Sequence, residues 1–230
     1  CSLCEQSYHG VVQHALGWAC WKTYVGRPET DQVRGMAMNL LGGGLSASEH
    51  HEDALAVQEA ELATMRRLGA DEEGILITRG NIAMSYRRLG RLEDALRMRR
   101  DIYSGWLRLE EENHNTFREA NNYASSLIHL QHYTEARSLL RRTIPVARRV
   151  LGESQELTLQ IRWHYTMALY GDPGATLDDV REAVATLVET ARISRQVLGG
   201  AHPITMGIEE ALRNARAARR ARETTPAGDK

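Results

Sequence analysis

The sequence has few of the residues that interrupt helices or favour strands. Its 230 residues include one Phe and 5 Pro. Such a composition suits helices better than a strand-rich fold. No apolar run approaches the roughly 20 residues that a membrane-spanning helix needs, so we expect no membrane role. The chain therefore reads as an all-α protein.

Cysteine is also scarce. Any disulfide scheme leaves one of the three cysteines unpaired, which favours a reducing compartment, and we expect a cytoplasmic protein. The chain opens at Cys1 without the charged and apolar segments of a signal peptide. We expect it to be a fragment of something longer.

Neither sign of charge is in excess, since 29 Lys+Arg stand against 30 Asp+Glu. A balance of this kind creates no field that would attract nucleic acid, so we expect no nucleic-acid partner. The sequence also lacks a P-loop, a nucleophile elbow and an H-E-x-x-H helix, and His50-His51-Glu52-Asp53 does not have metal-binding spacing. We therefore predict that the protein is not an enzyme. We expect no cofactor, apart from zinc that the N-terminal cysteines could bind.

What the sequence does contain is a repeat. The stretch NIAMSYRRLGRLEDAL lies at 81–96. Segments that resemble its end recur before it, as HHEDAL, and after it, as HYTEAR and REAV. Asp53, Asp94 and Glu135 follow one another at steps of 41 residues, and Glu182 comes 47 later because the turn 171–179 is longer. A period of this size with two helices per unit is typical of an α-solenoid.

The repeat divides the chain into four parts. Residues 1–28 form an N-terminal segment that includes a helix, and residues 29–201 hold four helix pairs. A capping helix is expected at 202–222 and a disordered tail at 223–230. The run Gly42-Gly43-Gly44 within the first pair indicates close helix–helix approach or, alternatively, a local break.

Pairs of arginines recur along the repeats. They fall near expected helix ends, where cations oppose the helix dipole, and for most of them this structural role is sufficient. The pairs are Arg66-Arg67, Arg87-Arg88, Arg99-Arg100, Arg141-Arg142 and Arg148-Arg149.

The repeat resembles the tetratricopeptide family, in the longer form found in kinesin light chains. The segments that carry the resemblance are NIAMSYRRLGRLEDAL, NNYASSLIHLQHYTEARSLLRRTIPVARRVLGES and VLGGAHPIT. The resemblance covers about residues 31–205 and implies helix pairs stacked in a right-handed superhelix with a concave peptide-binding surface. The sequence departs from the family pattern at Gly44 and Leu127, which replace the helix tyrosine, and at His164, which replaces Asn. No heptad segment for joining a kinesin heavy chain is present.

The N-terminal C-x2-C pair allows three interpretations. Cys1 and Cys4 resemble the closing half of a RING-variant or similar zinc finger, or could bind Zn²⁺ together with His9 and His14. The third interpretation is that they are terminal thiols beside solvated histidines, and we favour it for this fragment.

The first helix of each pair is the expected partner-binding element, because the resemblance places these helices on the concave surface. The recurring Asn offers both a donor and an acceptor to an extended peptide, and arginines on the same face could bind carboxylates. Alternatively, the Asn side chains satisfy backbone groups between repeats. The candidate residues are Asn39, Asn81, Arg88, Arg118, Asn122, Ser126, His129 and His164.

These observations lead to one main functional hypothesis and two alternatives. The main one is a protein-interaction scaffold that binds a protein or peptide ligand in the groove. The first alternative is the substrate-recognition part of a zinc-finger ubiquitin-ligase-type protein, and the second is a structural spacer. The oligomeric state does not follow from the sequence.

Overall fold

The computed structural model describes residues 10–224, and this part of the chain contains ten α-helices and no strand. The predicted all-α repeat fold is confirmed. The helices are α1 (Gly10–Tyr24), α2 (Gln32–Ala47), α3 (His51–Arg67), α4 (Glu72–Arg88), α5 (Leu92–Leu109), α6 (His114–His129), α7 (Tyr133–Val150), α8 (Glu156–Tyr170), α9 (Leu177–Val197) and α10 (Pro203–Thr224).

Polar caps fix where several of these helices begin. Asp31, Asp71 and Asn113 each accept a backbone N–H of the first turn of α2, α4 and α6. Thr176 begins α9 with a capping box, in which its hydroxyl and the Asp179 carboxylate each accept a backbone N–H at the helix start. Such caps satisfy backbone donors that have no partner within the helix.

The turn inside a helix pair uses the same backbone conformation in three repeats. Glu49, Gly90 and Gln131 have φ of 67°, 74° and 62° and occupy equivalent positions. Only Gly adopts this left-handed conformation without steric cost, so Glu49 and Gln131 each carry a cost of order 1 kcal/mol. The turn geometry therefore recurs even where the sequence does not supply glycine.

The chain forms two compact units, and the division between them falls inside α5, after Gly105. The first unit contains α1 to α4 and most of α5. Its core includes Leu41, Leu45 and Ala54 in one cluster and Leu55, Leu62 and Ile82 in another.

The second unit contains the end of α5 and α6 to α10. One cluster joins α8, α9 and α10 around Leu159, Leu187 and Ile208, all of them buried. Trp163 packs against this cluster, and a Cβ on Gly207 would lie 2.3 Å from the Trp163 ring. The capping helix is thus part of the core of the second unit.

The glycine run marks a close helix–helix approach, as the first of the two interpretations proposed. α2 continues unbroken through residues 42–44. A Cβ on Gly44 would lie 2.7 Å from the Gln13 carbonyl oxygen, and one on Gly17 would lie 2.8 Å from the Leu40 carbonyl oxygen. Backbone thus meets backbone where α1 crosses α2.

The opposite face of α1 is apolar and exposed, with Val11 at 78% exposure.

Two further expectations differ from the structure in detail. α10 continues to Thr224, so Glu223 is helical rather than part of a tail, and residues 225–230 lie outside the described residues. Arg99-Arg100 and Arg141-Arg142 lie in the middle of α5 and α7, so the helix-end explanation does not hold for these two pairs. Between residues 10 and 224, no helix is both long enough and apolar enough to cross a bilayer.

Candidate functional site

The surface of α6 in the second unit is reduced to a narrow polar stripe. Ten of its residues are buried, including Phe117, Ala124 and Leu127. The side chains that remain at the surface include Arg118, Asn122, Ser125 and His129, whose spacing of 4, 3 and 4 residues places them on one helix face. Three of these four were predicted from the sequence.

The polar surface continues onto α8, which packs against α6. The Asn121 side chain lies 6% exposed between the two helices. Its Oδ1 is 2.7 Å from His164 Nδ1, and its Nδ2 is 3.5 Å from Gln160 Oε1. Sequence reasoning missed Asn121 and Gln160. The doublet Asn121-Asn122 was visible, but only the helix phase reveals that the two residues face different neighbours.

The environment of His164 keeps its imidazole neutral. Burial, and to a smaller extent the nearby His129, lower the pKa of His164 to about 4. Because Asn121 Oδ1 can only accept, Nδ1 of His164 carries the proton and Nε2 is left as an acceptor. His164 is also stacked on Trp163, at 5.8 Å between ring centroids. Its first role is therefore to join α6 to α8.

Ser126 does not belong to this surface. It is 8% exposed, and its hydroxyl donates to the Asn122 carbonyl oxygen at 3.2 Å. Ser125, one position earlier, occupies the surface stripe in its place. Asn122 itself donates to Glu119 Oε2 at 3.3 Å, which leaves its Oδ1 as an acceptor.

The predicted Asn row is shifted by one residue in the first repeat. Buried Ile82, Tyr123 and Tyr165 directly follow Asn81, Asn122 and His164. The equivalent buried residue of α2 is Leu41, so Leu40 rather than Asn39 corresponds to Asn81. Leu40 is 53% exposed. The signal that sequence reasoning missed is the 41-residue step, which leads from Asn81 back to Leu40.

Asn39 instead covers a buried carboxylate in the first unit. Its Nδ2 donates to Glu61 Oε1 at 3.3 Å. Glu61 Oε2 is buried without a hydrogen-bond partner among the described residues, and burial raises the pKa of Glu61 to about 7. Of the other candidates in this unit, Asn81 is half-buried and Arg88 is exposed in the last turn of α4.

The candidate zinc ligands Cys1, Cys4 and His9 lie outside the described residues. His14 lies in α1, where Trp18 Nε1 donates to its Nε2 at 2.8 Å and Ser48 Oγ is 3.0 Å from its Nδ1. Both ring nitrogens thus have partners within the protein. In the range 10–224, no group of three His, Cys, Asp or Glu side chains is arranged to hold a metal ion.

Comparison with known families identifies the helix pairs. The sequence profile of the tetratricopeptide repeat matches residues 75–115 and 120–156, which correspond to α4–α5 and α6–α7. These two segments are tetratricopeptide repeats. A search of curated protein sequences finds no significant match to the chain.

Solved structures with tetratricopeptide repeats share the fold. One of them is the crystal structure of a Podosopora anserina protein that is described as a kinesin light chain with nearly identical TPR-like repeats. That protein is 17% identical, with a TM-score of 0.68, over 86% of this chain and 90% of that one. BtubC (BKLC) from P. vanneervenii is 14% identical, with a TM-score of 0.64, over 95% of this chain and 94% of its own.

A third similar structure is a Rap protein complexed with Competence and Sporulation Factor. It is 17% identical, with a TM-score of 0.53, and the match covers 83% of this chain and 54% of the Rap chain. The present chain therefore spans about half of the Rap protein. At these identities the comparisons establish the shared tetratricopeptide fold.

Proposed function

We propose that the chain is a non-enzymatic interaction scaffold that binds a peptide segment of a partner protein along the exposed stripe of α6 and the adjoining face of α8. The observation that carries this proposal is the stripe of Arg118, Asn122, Ser125 and His129 on a helix that is otherwise largely buried. Polar groups in this arrangement are not needed for the core, and they are available to a ligand.

The chemistry of the stripe suits an extended backbone. Asn122 keeps a free acceptor oxygen, and the Arg118 guanidinium has no ion pair or hydrogen bond within residues 10–224. An extended peptide alternates N–H donors and C=O acceptors, so amide side chains can pair with it while Arg118 binds a carboxylate. The Rap protein supports the proposal, because a protein of this fold was solved with a bound factor.

The first unit offers a second candidate surface of different character. Asn81 and Arg88 lie on α4, and the exposed side chains of Leu40 and Ile77 make this surface more apolar than the α6 stripe. We propose that it contributes contacts to apolar side chains of a partner.

The proposal is tested by selecting ligands from a displayed peptide library and measuring their affinities by calorimetry. Arg118→Ala and Asn122→Ala should each weaken binding about tenfold, the equivalent of about 1.4 kcal/mol. Asn81→Ala tests the first unit separately. Arg181→Ala, which removes an exposed arginine of α9, is the control and should leave the affinity unchanged.

The proposal is wrong if the selected peptides bind the Arg118→Ala, Asn122→Ala double variant as tightly as the original chain. Circular dichroism of each variant shows whether the helices are intact. Because both residues lie at the surface, we expect no loss of fold.

A further inference from the structure

The middle of α7 carries two positive charges that the fold leaves unbalanced. Three of its five arginines have carboxylate partners. Arg137 pairs with Asp179 at 2.8 Å, Arg148 with Glu153 at 2.8 Å, and Arg149 with Glu112 at 2.5 Å. Arg141 and Arg142 are exposed and have no ion pair or hydrogen bond within the described part of the chain.

These two arginines line a cleft on the second unit. Its volume is about 460 Å³, and five of its lining residues lie on α7, at positions that share one helix face. The sixth is Asp172, from the connection between α8 and α9. The lining residues are Thr134, Arg137, Ser138, Arg141, Arg142 and Asp172.

The opposite wall of the cleft is the long turn that is specific to the fourth repeat. Its carboxylates are already engaged. Asp172 Oδ1 accepts the Gly174 N–H at 2.8 Å, and Asp179 accepts from the Thr176 N–H and hydroxyl as well as from Arg137. The Thr176 amide, more than any other group, holds the pKa of Asp179 below its usual range. Asp172 keeps its negative charge, but it is the one carboxylate among the lining residues, against the guanidinium groups of Arg137, Arg141 and Arg142, so the lining has a net positive charge.

A second cleft adjoins the first at Arg141 and limits where an anion could lie. It contains Glu182 and Glu189 as well as Arg148 and Arg162. Glu182 accepts from the Tyr165 hydroxyl at 2.7 Å, and Glu189 accepts from Arg162 at 2.7 Å. These carboxylates would repel an anion, so the ligand belongs on the side of Ser138 and Arg142.

We propose that this cleft binds the phosphate monoester of a phosphorylated serine or threonine in a partner protein. A carboxylate carries one charge and is matched by one guanidinium, whereas a phosphate monoester carries nearly two charges and three acceptor oxygens. Two unpaired guanidinium groups, with the hydroxyls of Ser138 and Thr134 as further donors, match the phosphate. Neither hydroxyl has a hydrogen bond to another described residue.

The site is separate from the α6 and α8 surface and does not depend on it. Its residues lie on the second helix of the third repeat and on the turn before α9. Membranes and nucleic acids present arrays of phosphates, which call for an extended basic surface, but the chain has a net charge of −1. A single phosphorylated side chain fits the isolated Arg141-Arg142 pair better.

The test uses the full chain, labelled with ¹⁵N, and short degenerate peptides with a fixed central phosphoserine. Titration should shift the amide signals of residues 134–142 and of Asp172. Matching peptides with serine or glutamate at the centre should cause about tenfold weaker responses at equal concentration. Inorganic phosphate alone should also bind about tenfold more weakly than the phosphopeptides, because it lacks peptide contacts.

The decisive variant is Arg141→Gln, Arg142→Gln, which should weaken phosphopeptide binding about tenfold or more. Its matched control is Arg213→Gln, Arg220→Gln, which removes the same charge from exposed positions on α10 of the same unit. Equal losses in the two double variants would show a nonspecific charge effect and overturn the proposal. It would also be overturned by glutamate peptides or inorganic phosphate binding as well as the phosphopeptides, or by no response to the phosphopeptides.

Discussion

Two buried side chains give the molecule opposite responses to acid. Glu61 lies in the first unit with its pKa raised to about 7, and His164 lies in the second with its pKa lowered to about 4. In both cases the main cause is burial, which disfavours the charged form. Neutral Glu61 and neutral His164 are therefore the forms that stabilise the folded state.

For Glu61, the folded carboxyl binds its proton more tightly than the unfolded one, whose pKa is near 4.5. The free energy of unfolding should therefore fall as the pH rises from about 4.5 to about 7, by at most about 3 kcal/mol. Glu61→Gln keeps an acceptor for Asn39 and should abolish this fall. Urea unfolding at several pH values measures it, with exposed Glu52→Gln as the control. If the free energy of unfolding of the Glu61→Gln variant still falls over this pH range, the fall is not due to Glu61.

For His164, the unfolded imidazole, with a pKa near 6.5, binds a proton more readily than the folded one. Stability should be fully present above about pH 6.5 and should be lost as the pH falls towards about 4, by at most about 3 kcal/mol. His164→Asn places here the residue that the second and third repeats carry. The variant should flatten the acid limb of the stability profile, while His114→Asn should leave that limb in place.

At the scale of elements, the contact between α1 and α2 depends on the absence of side chains. The Cβ of Gly44→Ala would meet the Gln13 carbonyl oxygen at 2.7 Å and the His14 Cα at 3.0 Å. Neither atom can rotate away, so α1 would have to move from α2. Gly35 lies on the same helix with nothing within 4 Å of an added Cβ.

The two substitutions should therefore have opposite signs. Gly44→Ala should destabilise the first unit by about 1–3 kcal/mol, because overpacking outweighs the gain in helix propensity. Gly35→Ala should stabilise it by about 0.5–1 kcal/mol, because propensity alone acts there. Thermal unfolding followed by circular dichroism compares them. A stabilising effect of Gly44→Ala would contradict the backbone contact between α1 and α2 at this position.

The helix pairs could be predicted because each repeat carries its own helix signals at a nearly constant spacing. What sequence could not supply was the helix phase. Arg118, Asn122 and His129 were predicted to share one face and do. Ser126 and Asn39 each lie one position from the exposed row, because a one-residue error turns a side chain by about 100°. The Asn121–His164 bond joins residues 43 apart, and only packing brings them together.

At the scale of the whole molecule, the fold separates positions that shape the repeat from positions that are free to vary. The turn residues Glu49, Gly90 and Gln131 keep one conformation with different side chains. By contrast, the residue that precedes the buried Leu41, Ile82, Tyr123 and Tyr165 changes from Leu40 to Asn81 to Asn122 to His164 along the repeats. Selection on binding can therefore act at positions such as Leu40, Asn81 and Asn122 without altering the backbone.

The opposite titrations of Glu61 and His164 also give the two units opposite changes in local stability. Between about pH 7 and pH 5 the first unit gains resistance to opening while the second loses it, so acidification shifts the balance of local stability towards the first unit. Hydrogen–deuterium exchange, corrected for intrinsic rates, should show α3 amides becoming better protected and α8 amides less protected as the solution is acidified. A change in the acidity of its surroundings would thus redistribute local stability between the two units.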